Sequence, residues 1–423
     1  MGTLLTLGRG ALALAATLAA PLAAQSDRHE LYLDASAGAI FASTDLGAWT
    51  DGAVGKLRHV DDGVTGYRLF AEYHGRITPT LRARVTADYV DDASGGLDLT
   101  EAVLDWRPIP RSRNQHQLRF GAFYPSFSLE NGERGWQSPF TYSYSAINTW
   151  LGEEIRPVGA EWSVRRRLEG FRSNHEIRAF AAGFYGNDPA GTLLFWRGWS
   201  LHDRQTRLSD ELEIPPLPFT TQPQRLKSFT ETDHRPGVYA GLEWRYGRRA
   251  LVQLARYDNR ADPYSFSSGQ WGWATDFNHV AAQIDLPAKL GLVVQWLDGA
   301  TEWLTAALPD GTRLPISEYA HDRFESRFVL LTRKLGAAQR LALRYDTFSI
   351  ERAAAAPVLR SDRGHAWTLS YRIEPTSRFS GGIEWLRIDS RRDLWPMFYG
   401  TPPAQTEDQL RLQLSYRLAA PAR

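Results

Sequence analysis

Long and short connections alternate along this chain, and that pattern restricts its fold more than any motif does. From about residue 30 to the C-terminus, roughly sixteen strand-like segments follow one another. The connections after even-numbered segments are tight: Ile77–Thr80, Pro108–Gln115, Arg167–Asn174, Tyr246–Arg249, Leu286–Lys289, Leu335–Gln339 and Ile373–Ser377. Those after odd-numbered segments are long and polar, at 44–64, 125–155, 187–235, 259–270, 300–324, 352–363 and 391–406, with 92–96 a short exception. A soluble β-protein has no reason to gather its long loops at one end. A bacterial outer-membrane barrel does, because its periplasmic turns are short and its extracellular loops long.

The chain has no run of eighteen apolar residues, so helical spans are excluded. A membrane protein without such runs must close its strands into a barrel, since lipid satisfies no backbone group. The expected fold is therefore all-β: a single transmembrane antiparallel β-barrel of about sixteen strands, one domain over 25–423. Residues 1–24 read as a signal peptide. Arg9 is their only charge, Ala11–Ala24 is small and apolar, and cleavage near Ala24 is expected. Export of such a barrel leads to the outer membrane of a Gram-negative bacterium, with outer-membrane lipid and lipopolysaccharide as surroundings. The net charge of +1 gives no indication of a nucleic-acid partner, and the absence of cysteine removes disulfides and thiolate chemistry.

Several segments alternate with period two. Leu81, Ala83, Val85, Ala87 and Tyr89 oppose Arg82, Arg84, Thr86 and Asp88; Leu410, Leu412, Leu414, Tyr416 and Leu418 oppose Arg411, Gln413, Ser415 and Arg417. Segments 99–107, 250–258 and 325–334 alternate poorly and are placed by parity. Tyr89, Tyr124, Tyr185, Tyr246, Trp296, Tyr345, Tyr371 and Tyr416 close strands, as membrane-interface rings do. A β-sandwich would show the same alternation with inside and outside exchanged. In the barrel reading the polar face lines a wet lumen, and Arg68, Arg82, Arg84, Arg119, Arg165, Arg178, Arg245, Arg344 and Arg411 become pore-lining residues. Guanidinium groups in a narrow pore favour anions. Glu72, Asp88, Glu161, Glu243, Asp346 and Glu384 share that face, however, so cross-strand ion pairs that stiffen the wall are an equal reading.

Residues 119–167 stand apart. Gly121, Phe123, Pro125, Phe127, Ser128, Leu129 and Glu130 form a Gly-x-Phe-x-Pro-x-Phe-Ser-Leu-Glu stretch that leaves a strand for the third loop. This stretch resembles the strand-to-loop signature of phosphate-selective porins of the O/P type. The resemblance implies a sixteen-stranded channel, commonly a homotrimer, with the third loop (125–155) folded into the lumen to narrow it. Glu130, Glu133, Arg134, Glu153, Glu154 and Arg156 are then the constriction candidates. Phosphate-selective members line that point with Lys and Arg, whereas this chain has four lysines, none within 119–167. Its mixed acidic and basic set does not look like a dedicated phosphate trap.

Other chemistries find less support. The ten histidines form no His-x-x-x-His or His-Glu-x-x-His pair, and no Gly-x-Ser-x-Gly elbow or glycine-rich phosphate cradle occurs. No metal, cofactor or catalytic residue is expected. Asp61-Asp62 and Asp91-Asp92 are read as solvated loop charge. The reading reached is a porin passing small hydrophilic solutes or anions by diffusion. Its rivals are an outer-membrane hydrolase on a barrel scaffold, and a structural or binding barrel plugged by 187–235, a loop that carries Trp196, Trp199 and Pro215-Pro216-Leu217-Pro218.

Overall fold

The computed structural model describes residues 29–90, 96–168, 174–215, 222–307, 313–352, 361–393 and 400–418. The segment read as a signal peptide, Asp91-Asp92 and residues 216–218 of the proline stretch lie outside these. Sixteen antiparallel strands close into one barrel. They are β1 His29–Ser43, β2 Gly63–Arg76, β3 Leu81–Val90, β4 Leu97–Trp106, β5 Asn114–Ala122, β6 Val158–Arg167, β7 His175–Tyr185 and β8 Gly237–Tyr246. The circuit continues through β9 Ala250–Asp258, β10 Ala274–Leu286, β11 Leu290–Ala307, β12 Arg313–Lys334, β13 Gln339–Arg352, β14 Asp362–Ile373, β15 Phe379–Arg392 and β16 Ala404–Arg417. Pairing from Asp34↔Arg417 to Ser43↔Asp408 joins β16 to β1, so no strand edge is left open.

The ladders settle which face is which. Arg82 pairs with Asp105, Arg119 with Glu161, and Glu243 with Arg178, and each pair shares one face. Their neighbours on the other face, Leu104, Phe120, Trp162 and Leu242, are exposed, as are Leu254, Val329, Leu343, Trp367, Trp385 and Leu412 further round. Glu161, Gln253, Arg344, Thr368 and Glu384 are buried. An apolar outside and a polar inside invert the arrangement of a soluble sandwich. That inversion suits a barrel in lipid, where the apolar face meets acyl chains. The weakly alternating segments are all strands, as parity required.

The tight connections are as short as expected. At 287–289 the chain turns with Ala288 and Lys289 at φ 59° and 60°, the mirror-image turn whose twist suits adjoining strands. One long loop is corrected. Residues 300–324, expected as a loop, are largely strand: β11 and β12 stay paired to Thr305↔Glu318 and, past a register shift, at Ala307↔Arg313. Two arms of a hairpin satisfy each other's backbone groups wherever the lipid ends, so the ladder need not stop there. Trp303 and Ala320 on these arms pack with Phe195, Trp271 and Trp273, and the Trp273 and Trp303 rings stack at 5.5 Å. Loop 259–270 carries its own short hairpin, Phe266–Ser267 against Gln270–Trp271. The main apolar cluster, which includes Phe127, Trp150, Phe180, Phe277 and Phe324, lies inside the barrel, where an empty pore would have none.

Candidate functional site

The third and fourth loops fill most of the lumen, joined by Lys56, Leu57 and Arg58 of the first. The third, residues 123–157, begins at Gly121, whose φ of 120° favours glycine and where a Cβ would collide with the Ala102 carbonyl oxygen. The Phe123 amide donates to the Pro157 carbonyl at 3.2 Å and closes the neck. Phe127 then sits edge-on to Tyr239 and Phe277, with ring centroids 5.2 and 5.7 Å away. At the loop's tip Gly135, at φ 62°, packs so closely on Phe70 of β2 that no Cβ fits. From there the backbone crosses β13–β15 and is held by wall charges. Arg372 donates to the Ser138 carbonyl (2.7 Å) and Arg340 to that of Pro139 (2.5 Å), while the Tyr142 and Ser143 amides donate to Glu384 (2.5 and 2.8 Å). Helix α1, Ala146–Glu154, follows, with Ser145 as its N-cap accepting from the Asn148 amide. The sequence reading missed this helix.

The fourth loop (186–236) also turns inward, which the sequence left as one alternative. Its helix α2, Thr192–Trp196, docks on the end of α1: the Gly191 and Leu193 amides donate to Glu154 at 3.1 and 3.0 Å. Trp199 Nε1 donates to the Ser349 carbonyl (3.1 Å), and the Leu208 amide to the Leu99 carbonyl (2.8 Å). Lys56 of the first loop, fully buried, reaches Asp362 (3.0 Å) and the Trp199 carbonyl (2.7 Å).

All nine arginines read as pore-lining share the inward face. Most are engaged there: Arg68 with Asp88 (2.6 Å), Arg84 with Glu101 (3.1 Å), Arg119 and Arg178 both with Glu161 (2.7 and 3.1 Å), Arg165 with Glu176 (3.2 Å) and Arg245 with Glu243 (3.1 Å). Arg411 meets Asp203 at 2.8 Å. Arg344, with no exposed surface, joins Glu130 (2.6 Å) and Asp346 (2.7 Å) and donates to the Ser143 and Tyr144 carbonyls (2.8 and 2.9 Å). Arg82 lies opposite Asp105 in the ladder.

The six constriction candidates do not come together. Glu130 belongs to the Arg344 network and also accepts from the Ser145 amide (3.0 Å) and Asn148 (2.7 Å). Glu153, Glu154 and Arg156 are buried between the two loops. Arg156 stacks on the Tyr124 ring at 3.5 Å and donates to the Thr100, Thr206 and Gly152 carbonyls. In this conformation these four hold loop to loop and loop to wall rather than face solvent. Glu133 is exposed and Arg134 half-buried near the periplasmic mouth, where Arg134 pairs with Glu30 at 2.7 Å. Burial raises the Glu153 carboxyl well above the ordinary range and that of Glu154 to about 7.

Free space among the described residues includes a cavity of about 530 Å³ at the long-loop ends of β13–β16, beside Arg363, His365, Asp389 and Gln405. On the periplasmic side a vestibule of about 530 Å³ is lined by Arg245, Arg248, Lys289, Lys334 and Arg340, with Glu133 and Asp285 as its acidic residues. Along the β1, β2 and β14–β16 wall run two small polar cavities of about 50 and 10 Å³. They share Ser36, Arg68, Asp203 and Gln413, so Asp203 stands at their junction. Lys56, Arg58 and Asp203 were not singled out from sequence, because irregular loops carry no periodicity. A usable signal was present: Phe195, Trp196 and Trp199 are too apolar for a loop in water.

Ser200, His202 and Glu153 also meet, without forming a hydrolytic triad. Ser200 Oγ (3.4 Å) and Glu153 Oε1 (3.0 Å) approach the same nitrogen, Nε2, while Nδ1 accepts from the Arg204 amide (3.2 Å). A triad needs the acid and the nucleophile on opposite nitrogens.

A closed sixteen-stranded barrel with an apolar exterior, a charged interior and inward-folded loops is a porin-like barrel. The outer-membrane channel DcaP of Acinetobacter baumannii aligns at TM-score 0.53 and 12% identity, over 92% of this chain and 96% of that one. An anion-selective porin from Comamonas acidovorans (0.46, 11%, 92% of this chain and 99% of that one) and the trimer form of OmpT of Vibrio cholerae (0.47, 10%, 92% of this chain and 100% of that one) align more loosely. At such identity the likeness is one of fold. No protein-family profile matches the chain, and no curated protein matches it by sequence.

Proposed function

We propose that the chain is an outer-membrane porin: a passive diffusion channel for small hydrophilic solutes, preferring anions and exported by the 1–24 signal peptide. The observation that carries this reading is the charged inner face of a closed barrel, ending in a vestibule where five basic groups meet two acidic ones. Fixed cations at a pore mouth raise the local anion concentration. The Gly121–Glu130 stretch at the start of the third loop supports kinship with porins of the O/P type, and a homotrimer is the matching assembly. The third loop would set the size limit, with Glu133 and Arg134 nearest the periplasmic opening. The wall arginines engaged with Asp and Glu act first as stiffeners; Arg82 and the vestibule set carry the charge preference.

The small lumen cavities favour a second reading, a barrel plugged by its third and fourth loops that binds rather than conducts. Cavities of about 50 and 10 Å³ hold a few water molecules at most, so larger solutes pass only if the loops shift. Reversal potentials in a salt gradient separate the readings. Wild-type protein should be anion-preferring, with a smaller preference in Arg82→Ala/Arg84→Ala. An unchanged ratio would remove the wall arginines from selectivity, and no swelling of proteoliposomes in any small solute would favour the plug.

A further inference from the structure

Asp203 is a carboxylate that two lumen arginines share. It belongs to the inward-turned fourth loop, is 6% exposed, and lies at the junction of the two cavities that line the β1–β16 wall. Two guanidinium groups clamp it, one on each oxygen: Arg58 Nη1 donates to Oδ1 and Arg411 Nη2 to Oδ2, both at 2.8 Å. A third, Arg68, donates to its backbone carbonyl at 3.4 Å while its fork is engaged with Asp88. The three arginines come from the first loop, β2 and β16, and the carboxylate from the fourth loop, so the cationic site is built without the fourth loop and filled by it. Arg411 Nε, buried in the same place, has no hydrogen-bond partner among the described residues. One acceptor oxygen on each of two forks is the arrangement by which a free carboxylate is recognised.

We propose that Arg58 and Arg411 form a binding site for a small monocarboxylate within the lumen, and that Asp203 occupies it as a tethered internal ligand. A permeating carboxylate exchanges with the Asp203 side chain, with no bond made or broken. The cluster of Arg58, Arg68 and Arg411 against Asp88 and Asp203 has a net charge of +1, and removing Asp203 raises it to +2. The proposal rests on the lumen's being a solute path.

The test uses full-length refolded protein, wild type, Asp203→Ala, Asp203→Asn and Asp203→Ala/Arg411→Gln, each checked for heat-modifiable gel mobility. Titration calorimetry with sodium propionate in detergent should show binding to both single variants, none to wild type at the same concentration, and loss in the double variant. In bilayers the anion-to-cation ratio of Asp203→Ala should rise by about 25-fold, about fivefold from anion gain and about fivefold from cation loss, the effect on each of one unit charge about 4 Å away in water-like surroundings. Folded single variants that neither bind propionate nor change selectivity overturn the proposal while leaving the porin reading intact. Binding in detergent with no current from any variant supports the site and contradicts the porin reading.

Discussion

Arg344 is the residue whose loss should disturb the lumen most. It has no exposed surface, and its guanidinium holds two equally buried carboxylates, Glu130 of the third loop and Asp346 of β13, at 2.6 and 2.7 Å. It also donates to the Thr141 hydroxyl (3.1 Å) and to the Ser143 and Tyr144 carbonyls, so four contacts tie 130–144 to the wall. Replacing it by Met keeps the volume and leaves both carboxylates without their cation. Breaking a buried pair in this way costs about 3–5 kcal/mol, mostly from the uncompensated charge left behind. The loop can escape that cost by leaving the wall without unfolding the barrel, so its opening equilibrium should rise by about a hundredfold to a few thousandfold. Hydrogen exchange of the 141–154 amides reads this directly: α1 should lose protection while barrel strands keep theirs. Single-channel conductance should rise in parallel. Arg344→Met/Glu130→Gln should recover at least half the protection, because one stranded charge has gone. Unchanged exchange over 141–154 in Arg344→Met would refute the pinning role.

Three further outcomes follow from the same geometry. Burial pushes the Glu154 carboxyl up to about 7, so its contribution to loop packing is complete below its ordinary value near 4.5 and is lost as pH rises through 7. Exchange of α1 and α2 should therefore be faster at pH 8 than at pH 5, and Glu154→Gln should flatten that dependence. Gly135→Ala should destabilise the loop tip by about 1–3 kcal/mol, from left-handed backbone and collision with Phe70, with partial rescue by Phe70→Leu in thermal unfolding. Lys289→Glu/Lys334→Glu should reduce anion preference in 0.1 M salt and have little effect in 1 M, where screening falls to about 3 Å.

The barrel was legible because its rules are local. Period two in Leu81–Tyr89 or Leu410–Leu418 fixes a face, and the tight turns fix strand parity. Loop 300–324 was misread because polar residues outside the lipid look the same whether they are paired or not. Side chains of the wall were placed on the correct face, but their partners were not readable. Glu130 meets Arg344 across 214 residues, and Lys56 meets Asp362 across 306, and only closure of the barrel brings them together. Helix α1 was hidden in a loop rich in Ser, Tyr and Trp, although Ser145 before Ala146-Ile147-Asn148 is a capping signal. The constriction candidates failed to assemble for a related reason. Glu153, Glu154 and Arg156 are charges that stabilise loop packing, and sequence alone cannot distinguish such a charge from one facing water.

The porin reading depends on whether ions cross the lumen. Planar-bilayer recording of refolded wild-type protein tests that most directly. A porin should give discrete current steps of low conductance, reversing toward the anion equilibrium potential in a salt gradient and growing when Arg344 is replaced by Met. A folded, inserted barrel that carries no current in wild type or in Arg344→Met would contradict the porin reading.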